Sequence, residues 1–138
     1  MLFGDTLLRP RVLLADDHRA LLEAEIALLS PHFGIVGTAP DGAELVTAAR
    51  RLLPDVIVTD ITMPILNGVD AVYKLHQSGC SAIFVFLTMH SEGEFVEACM
   101  EAGALGYVQK SSMKRHLVPA IQAVLAGQTY VSQSNSTE

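Results

Sequence analysis

The sequence predicts an α/β fold in which a five-stranded parallel sheet carries five helices on its two faces. Three observations lead to this prediction. Short β-rich runs alternate along the chain with longer runs of helical periodicity. The fourth of these runs is apolar without alternation, which is typical of a strand covered on both faces. The 138 residues, 50% of them hydrophobic, suffice for one domain with a substantial core.

The strands are predicted where apolar runs are bounded by polar or turn-forming residues. They are Val12–Ala15, Gly34–Gly37, Val56–Val58, Ile83–Leu87 and Tyr107–Val108. Right-handed crossovers between parallel strands leave few ways to wind such a sheet. The flavodoxin-like order 2-1-3-4-5 is the leading choice, and helices on both faces then make a three-layer sandwich.

A helix is predicted after each strand from apolar residues at three- and four-residue spacing. The five span about His18–Leu29, Gly42–Leu52, Gly68–His76, a stretch containing Phe95–Ala102, and Lys114–Ala126. Asp41 with Glu44, and Ser91 with Glu94, have the spacing of a capping box at a helix start. Pro119 fits the last helix only in its first turn, which leaves the start of that helix the least defined boundary.

Composition excludes several classes of function. Nine basic against fifteen acidic residues give a net charge of −6, without a basic cluster, so this segment is not expected to contact nucleic acid. No apolar run is long enough to span a membrane. Residues 1–10 lack the features of a signal peptide and are expected to be the leader of a cytoplasmic protein. Cys80 and Cys99 are too few for a disulfide framework, and Cys99 is expected on a buried helical face.

Polar side chains follow four of the five predicted strands. Asp16 and Asp17 follow the first strand, Asp60 the third, Thr88 the fourth and Lys110 the fifth. Taken singly, each residue has an ordinary structural reading as a cap, a turn residue or a solvated side chain. In the predicted strand order, however, these four strands are neighbours, so their loops surround one crevice at the edge where such folds bind ligands.

The combination of groups in this crevice points to phosphate chemistry. Crowded carboxylates repel one another unless a cation lies among them, and oxygen ligands of this kind favour Mg²⁺. A carboxylate beside Mg²⁺ and an ammonium is also a potential nucleophile toward phosphorus. The five histidines lie on different elements without paired spacing, so we expect solvated or packing roles for them rather than a zinc site.

The chain resembles a receiver domain of a two-component response regulator over about residues 11–129. The resemblance is carried by Ala15-Asp16-Asp17-His18, by Thr59-Asp60-Ile61-Thr62-Met63-Pro64 with Asn67-Gly68, by Leu87-Thr88-Met89, and by Gly103-Ala104-Leu105-Gly106-Tyr107-Val108-Gln109-Lys110. Together these motifs are highly specific. Asp-Asp-His, Leu-Thr-Met-His and Ala-Gly-Gln-Thr-Tyr-Val-Ser further resemble the nitrate and nitrogen-fixation regulators, which join a receiver to a LuxR-type helix-turn-helix domain.

The resemblance implies a role for each matching residue. These roles are the phosphoacceptor for Asp60, Mg²⁺ ligands for Asp16, Asp17, Asp60 and the backbone carbonyl of Thr62, a switch hydroxyl for Thr88, a switch aromatic for Tyr107, and a phosphate-binding ammonium for Lys110. Two positions depart from the commonest family pattern. Ser111 stands where many receivers have a cis proline, so no cis bond is implied, and Met89 replaces a small residue and should narrow access to Asp60.

The function implied is that of a phosphoacceptor, not an enzyme in the ordinary sense. A sensor histidine kinase would phosphorylate Asp60, and the change would alter homodimerisation or a DNA-binding domain absent from this chain. The predicted organisation is a leader over 1–10, a receiver over 11–131 and the start of a linker over 132–138. A single-domain receiver acting by protein contact stays open.

Two other classes of protein remain as alternatives. An aspartate-nucleophile phosphohydrolase would place a second aspartate two residues after the nucleophile, where this chain has Thr62. A flavin mononucleotide module would need a loop rich in Ser, Thr and Gly after the first strand, where Asp16 and Asp17 would repel the phosphate.

Overall fold

The computed structural model describes residues 9–89 and 93–132, with the side chains of 93 and 94 excepted. Its six strands are β1 (Arg11–Ala15), β2 (Gly34–Ala39), β3 (Val56–Thr59), β4 (Ile83–Thr88), β5 (Gly106–Gln109) and β6 (Tyr130–Val131). They form one parallel sheet in the order β2-β1-β3-β4-β5-β6. The predicted 2-1-3-4-5 order is therefore confirmed, with a short sixth strand added at its edge.

Five helices cover the two faces of the sheet within the described part of the chain. They are α1 (Arg19–Leu29), α2 (Gly42–Leu52), α3 (Gly68–Gln77), α4 (Gly93–Ala102) and α5 (Met113–Leu125). Helices α2, α3 and α4 contribute to one hydrophobic core, and α1 and α5 to the other. Cys99 is buried in the first core, as the sequence predicts.

Side chains alternate between the two cores along each central strand. Leu13 and Ile57 belong to the core under α2, α3 and α4, whereas Leu14 and Val58 belong to the core under α1 and α5. Both cores lack solvent access, which explains why these strands are apolar throughout. None of the described helices has the length and apolar content needed to cross a bilayer.

The helix starts are only partly as predicted. Asp41 caps α2, since its carboxylate accepts a hydrogen bond from the Glu44 backbone N–H at 2.8 Å. Asn67 caps α3 in the same way through Asp70. Ser91, predicted to cap α4, lies outside the described residues.

Pro119 lies in the middle of α5 and not in its first turn, because the helix already begins at Met113 after a 3-10 turn over Lys110–Ser112. A proline there removes one helical hydrogen bond, whose acceptor is the carbonyl of the residue four positions earlier. Both Pro119 and that residue, Arg115, are exposed. The carbonyl therefore faces the solvent side, where water can satisfy it.

The sixth strand brings Ser132 into the domain. Ser132 is buried, its backbone N–H donates to the carbonyl of Tyr107 at 2.9 Å, and its hydroxyl accepts from the backbone N–H of Gln109 at 3.0 Å. The polar residues after Val131 predict a linker from Ser132 onward. Ser132 instead pairs with β5, so the linker hypothesis applies from residue 133, which lies outside the described residues, as do residues 1–8 of the expected leader.

Ile65 occupies a strained backbone conformation in the loop between β3 and α3. Its φ is 72°, in the left-handed region that β-branched residues rarely adopt. The Leu66 N–H donates across it to the carbonyl of Pro64 at 2.7 Å, which closes a tight γ-turn. The side chain is 81% exposed and offsets little of this strain by burial.

We therefore expect Ile65→Gly to raise the free energy of unfolding by about 1 kcal/mol, because glycine adopts this conformation without the Cβ clash. Urea unfolding of both proteins measures the difference. Ile65→Ala, which keeps the Cβ, is the matched control and should gain less. A glycine variant less stable than the parent would contradict the strain assignment.

Candidate functional site

The polar crevice predicted from the strand ends is present at the carboxyl edge of the sheet. The sheet's hydrogen bonding continues one residue beyond β1 and β3, since Asp16 N–H donates to Ala39 and Asp60 N–H donates to Ala15, both at 3.0 Å. The strand alternation therefore extends to both aspartates. Asp16 lies two residues after Leu14, and Asp60 lies two residues after Val58. Because alternate residues of a strand share a face, both aspartates project on the side of the sheet covered by α1 and α5.

Lys110 joins the two aspartates. Its Nζ lies 2.8 Å from Asp16 Oδ2 and 2.9 Å from Asp60 Oδ2, and all three side chains are nearly buried. Burial of the ammonium acts to lower the pKa of Lys110, but the hydrogen bonds that the ammonium donates to Asp16 and Asp60, together with the negative charges of these carboxylates, outweigh burial and raise the pKa above its ordinary value. Lys110 is thus held charged between two carboxylates.

The loop after Asp60 is fixed tightly at both ends. Asp60 Oδ1 accepts a hydrogen bond from the Ile61 N–H at 2.7 Å, and the Gly68 N–H donates to the Ile61 carbonyl at 2.7 Å. A Cβ on Gly68 would lie 1.8 Å from the Asp60 carbonyl oxygen, so only glycine fits there. The start of α3 therefore packs directly against the backbone of Asp60.

His18 belongs to the site, which the sequence analysis did not predict. Its Nδ1 lies 3.2 Å from Asp16 Oδ1 and 3.2 Å from Asp17 Oδ1, and its backbone N–H donates to Asp16 Oδ1 at 2.9 Å. The His18 side chain is 71% exposed, as expected of a solvated histidine, and its contacts with the two aspartates add a place at the edge of the site. Its immediate adjacency to the two aspartates in sequence is the signal that could have found it.

A cleft opens above these groups. It is lined by the polar residues Asp17, His18, Asp60, Thr62, Thr88 and Lys110 and by the apolar residues Ala20, Leu21 and Met89. Met89 is 79% exposed and lines the same cleft as Asp60. Asp60 itself is only 6% exposed at the base of the cleft.

Thr88 and Tyr107 lie close together on the opposite side of the sheet from α1. Both are fully buried. Tyr107 pairs with Phe86 across β4 and β5, and Thr88 is two residues beyond Phe86 on the same face of β4. A shift of the Thr88 side chain would therefore change the packing around the Tyr107 ring.

The donor set at this edge suits a hard divalent cation. Single ligand atoms of Asp16, Asp17 and His18 lie within 4.8 Å of one another, and Asp60 adjoins them through Lys110. Three carboxylates against one ammonium leave an excess of negative charge in a partly buried cleft. Oxygen ligands with such an excess fit Mg²⁺, so the residues present agree with the cation expected from the sequence.

Glu25 is a second group that the sequence analysis missed. It lies on the inner face of α1, is 1% exposed, and neither of its carboxylate oxygens has a hydrogen-bond partner among the residues that the structure describes. Burial, and then the negative charge of Asp16, raise the pKa of Glu25 to about 8. The signal was a glutamate four residues after Leu21, within an apolar helical stripe.

The fold and the site together define a receiver domain. Residues 12–122 match the family model described as "Response regulator receiver domain", so this chain belongs to that family. Receiver domains are signalling modules and not enzymes in the ordinary sense, and response regulators receive their phosphoryl group from sensor kinases.

Particular relatives narrow the class. The chain is 37% identical over 124 residues to response regulator GacA of Pseudomonas viridiflava, covering 88% of this chain and 58% of that protein. It is 36% identical to the transcriptional regulatory protein MctR of Rhizobium johnstonii, again covering 88% and 58%. A two-component response regulator of the LuxR family from Aurantimonas sp. SI85-9A1 superposes with a TM-score of 0.86 at 36% identity, covering 91% of each chain. The chain thus spans a little over half the length of the curated relatives it matches.

Proposed function

We propose that Asp60 is the phosphoacceptor of this receiver and that it takes a phosphoryl group from a phosphohistidine of a sensor kinase. The observation that carries the proposal is the Asp16–Lys110–Asp60 arrangement at the base of the cleft. The ammonium contacts Asp60 Oδ2 at 2.9 Å, and Asp60 Oδ1 accepts a hydrogen bond from the Ile61 N–H at 2.7 Å. Both oxygens of the carboxylate are thereby held in place at the base of the cleft.

The proposed transfer forms one bond to phosphorus and breaks one. An Asp60 carboxylate oxygen forms a bond to phosphorus as the bond between phosphorus and the histidine nitrogen breaks, and the nitrogen keeps the electron pair. Lys110 then balances charge on the phosphoryl oxygens, and the Thr88 hydroxyl is within the same cleft to donate a hydrogen bond. Asp16, Asp17, Asp60 and the Thr62 carbonyl would hold Mg²⁺, which when bound neutralises phosphoryl charge.

Phosphorylation adds roughly one further negative charge beyond that of the carboxylate. The proposed response is a movement of Thr88 toward the phosphoryl group and of Tyr107 into the space it leaves. Both side chains are packed on the α4 side of the sheet, so the outer face of α4, β5 and α5 would be reshaped. The response is a shift between two conformations that the phosphoryl group stabilises differently.

We further propose that the output is transcriptional. Support comes from the length of the relatives, which extend well beyond the part matched here, and from the name of MctR, a transcriptional regulatory protein. Phosphorylation would promote homodimerisation in the cytoplasm and act on a DNA-binding domain following this segment. A single-domain receiver acting by protein contact is distinguished by the coding sequence downstream of this segment.

The proposal is tested by incubating the protein with Mg²⁺ and acetyl phosphate and measuring the intact mass. We expect a gain of one phosphoryl group per chain, followed by its slow hydrolysis. Para-nitrophenyl phosphate serves as the control substrate and should not be turned over steadily. Steady ester hydrolysis would instead identify an aspartate-nucleophile phosphohydrolase and overturn the receiver assignment.

A further inference from the structure

Glu25 is a buried carboxyl group to which the proposed phosphotransfer gives no role. The neighbouring α1 residues Leu22, Ile26 and Leu29 pack in the core shared with α5, and Glu25 is more buried than Leu22 and Ile26 and nearly as buried as Leu29. Its two oxygens have no hydrogen-bond partner within the described ranges 9–89 and 93–132. A buried polar group without a partner is costly, so its presence calls for an explanation.

The place of Glu25 in the fold puts it beneath the cleft. Leu21 lines the cleft, and Glu25 follows it by four residues on the same face of α1, about 6 Å further along the helix axis. Asp16 and Asp60 project from the sheet toward this helix layer. Glu25 therefore faces the site from the core side, although it makes no hydrogen bond to either aspartate.

The charges that act on Glu25 come from the site. Asp16 and Asp60 act to raise its pKa, and Lys110 acts to lower it. The other elements packed against α1 add little charge near Glu25. Strand β2 carries no titratable side chain. On α5, Lys114 and Arg115 are exposed, and His116 is hydrogen-bonded to the Tyr130 hydroxyl. The protonation of Glu25 is thus tied to the charge of the phosphorylation site.

We propose that Glu25 is a proton-carrying regulatory carboxyl of the phosphorylation site, which is protonated in the metal-free protein and releases its proton to solvent when a divalent cation binds above it. The cation offsets the negative charge of Asp16 and Asp60 that keeps Glu25 neutral. The linkage is reciprocal, so the cation binds more tightly as pH rises through the titration of Glu25. The inference rests on the metal site of the proposed function.

The test is calorimetry of Mg²⁺ binding at about pH 7.5 in two buffers of different ionisation enthalpy, which counts protons released per ion. We expect the parent protein to release up to about three quarters of a proton more than Glu25→Gln. Glu23→Gln is the matched control, since Glu23 is exposed on the same helix, and it should match the parent. Any proton released by groups other than Glu25 is common to all three proteins and cancels.

A direct measurement covers the case in which Glu25→Gln does not fold. The ¹³C carboxyl resonance of Glu25 in the parent protein should titrate near pH 8 without metal, as burial predicts, and at least one pH unit lower with saturating Mg²⁺.

The two proposals fail in different ways. Equal proton release by the parent and Glu25→Gln, or a Glu25 titration that Mg²⁺ does not move, overturns the role of Glu25 and leaves the receiver assignment intact. Absence of any Mg²⁺ binding overturns both the metal site and this inference.

Discussion

Replacing Lys110 with methionine is expected to lower the free energy of unfolding by about 3 kcal/mol in metal-free buffer near neutral pH, and to suppress phosphorylation by acetyl phosphate. The ammonium is the counter-charge that both Asp16 and Asp60 contact within 3 Å in a nearly buried site. Removing one member of a buried ion pair leaves its partners desolvated and mutually repelling. Urea unfolding in the presence of a chelator measures the change.

Two comparisons make the Lys110 result specific. Lys114→Met removes an exposed lysine from the start of α5 and should leave stability within about 0.5 kcal/mol of the parent. Saturating Mg²⁺ should recover part of the loss in Lys110→Met, because a cation in the cleft replaces some of the missing charge. A Lys110→Met protein as stable as the parent without metal would show that the two aspartates do not depend on this ammonium.

Replacing Glu25 with leucine is expected to stabilise the protein, and most strongly at alkaline pH. The folded state raises the pKa of Glu25 from 4.5 to about 8, so the folded protein holds a proton that the unfolded chain has lost. Stability therefore falls as pH rises from about 4.5 to about 8 and stays low beyond it. This single group is expected to cost up to about 5 kcal/mol above pH 8.

Urea unfolding at about pH 5, 7 and 9 tests this second result. The difference between Glu25→Leu and the parent should widen with pH, whereas the exposed Glu23→Leu should show a small difference that pH does not change. A Glu25→Leu difference that is the same at all three values would mean that the carboxyl is already ionised or solvated in the folded protein.

Much of the fold was predictable because its elements are encoded locally. The strand β4 has no polar interruption over Ile83–Leu87, and α2 carries an apolar stripe with Asp41 at its start, so both elements follow from period and capping alone. Parallel pairing and right-handed crossovers then restrict the strand order. The site followed from the same reasoning, because Asp16, Asp60 and Lys110 each stand within two residues of the end of a predicted strand.

The features that were missed depend on contacts distant in sequence. The two-residue strand β6 is too short for a periodic signal and is defined by pairing with β5, including the hydrogen bonds of Ser132. Pro119 is tolerated inside α5 because its side of the helix faces solvent. The periodicity of the apolar residues did not determine where this helix begins relative to Pro119. The burial of Glu25 was not predicted from the sequence, because a glutamate on a helix is ordinarily solvated. Only the packing of α1 shows that this one is buried.

The central claim is that Asp60 accepts the phosphoryl group, and the most direct measurement is the intact mass of the parent and of Asp60→Asn after incubation with Mg²⁺ and acetyl phosphate. The account predicts one added phosphoryl group on the parent and none on Asp60→Asn, whose amide is not a nucleophile of this kind. Equal phosphorylation of Asp60→Asn, or none on the parent, would contradict it.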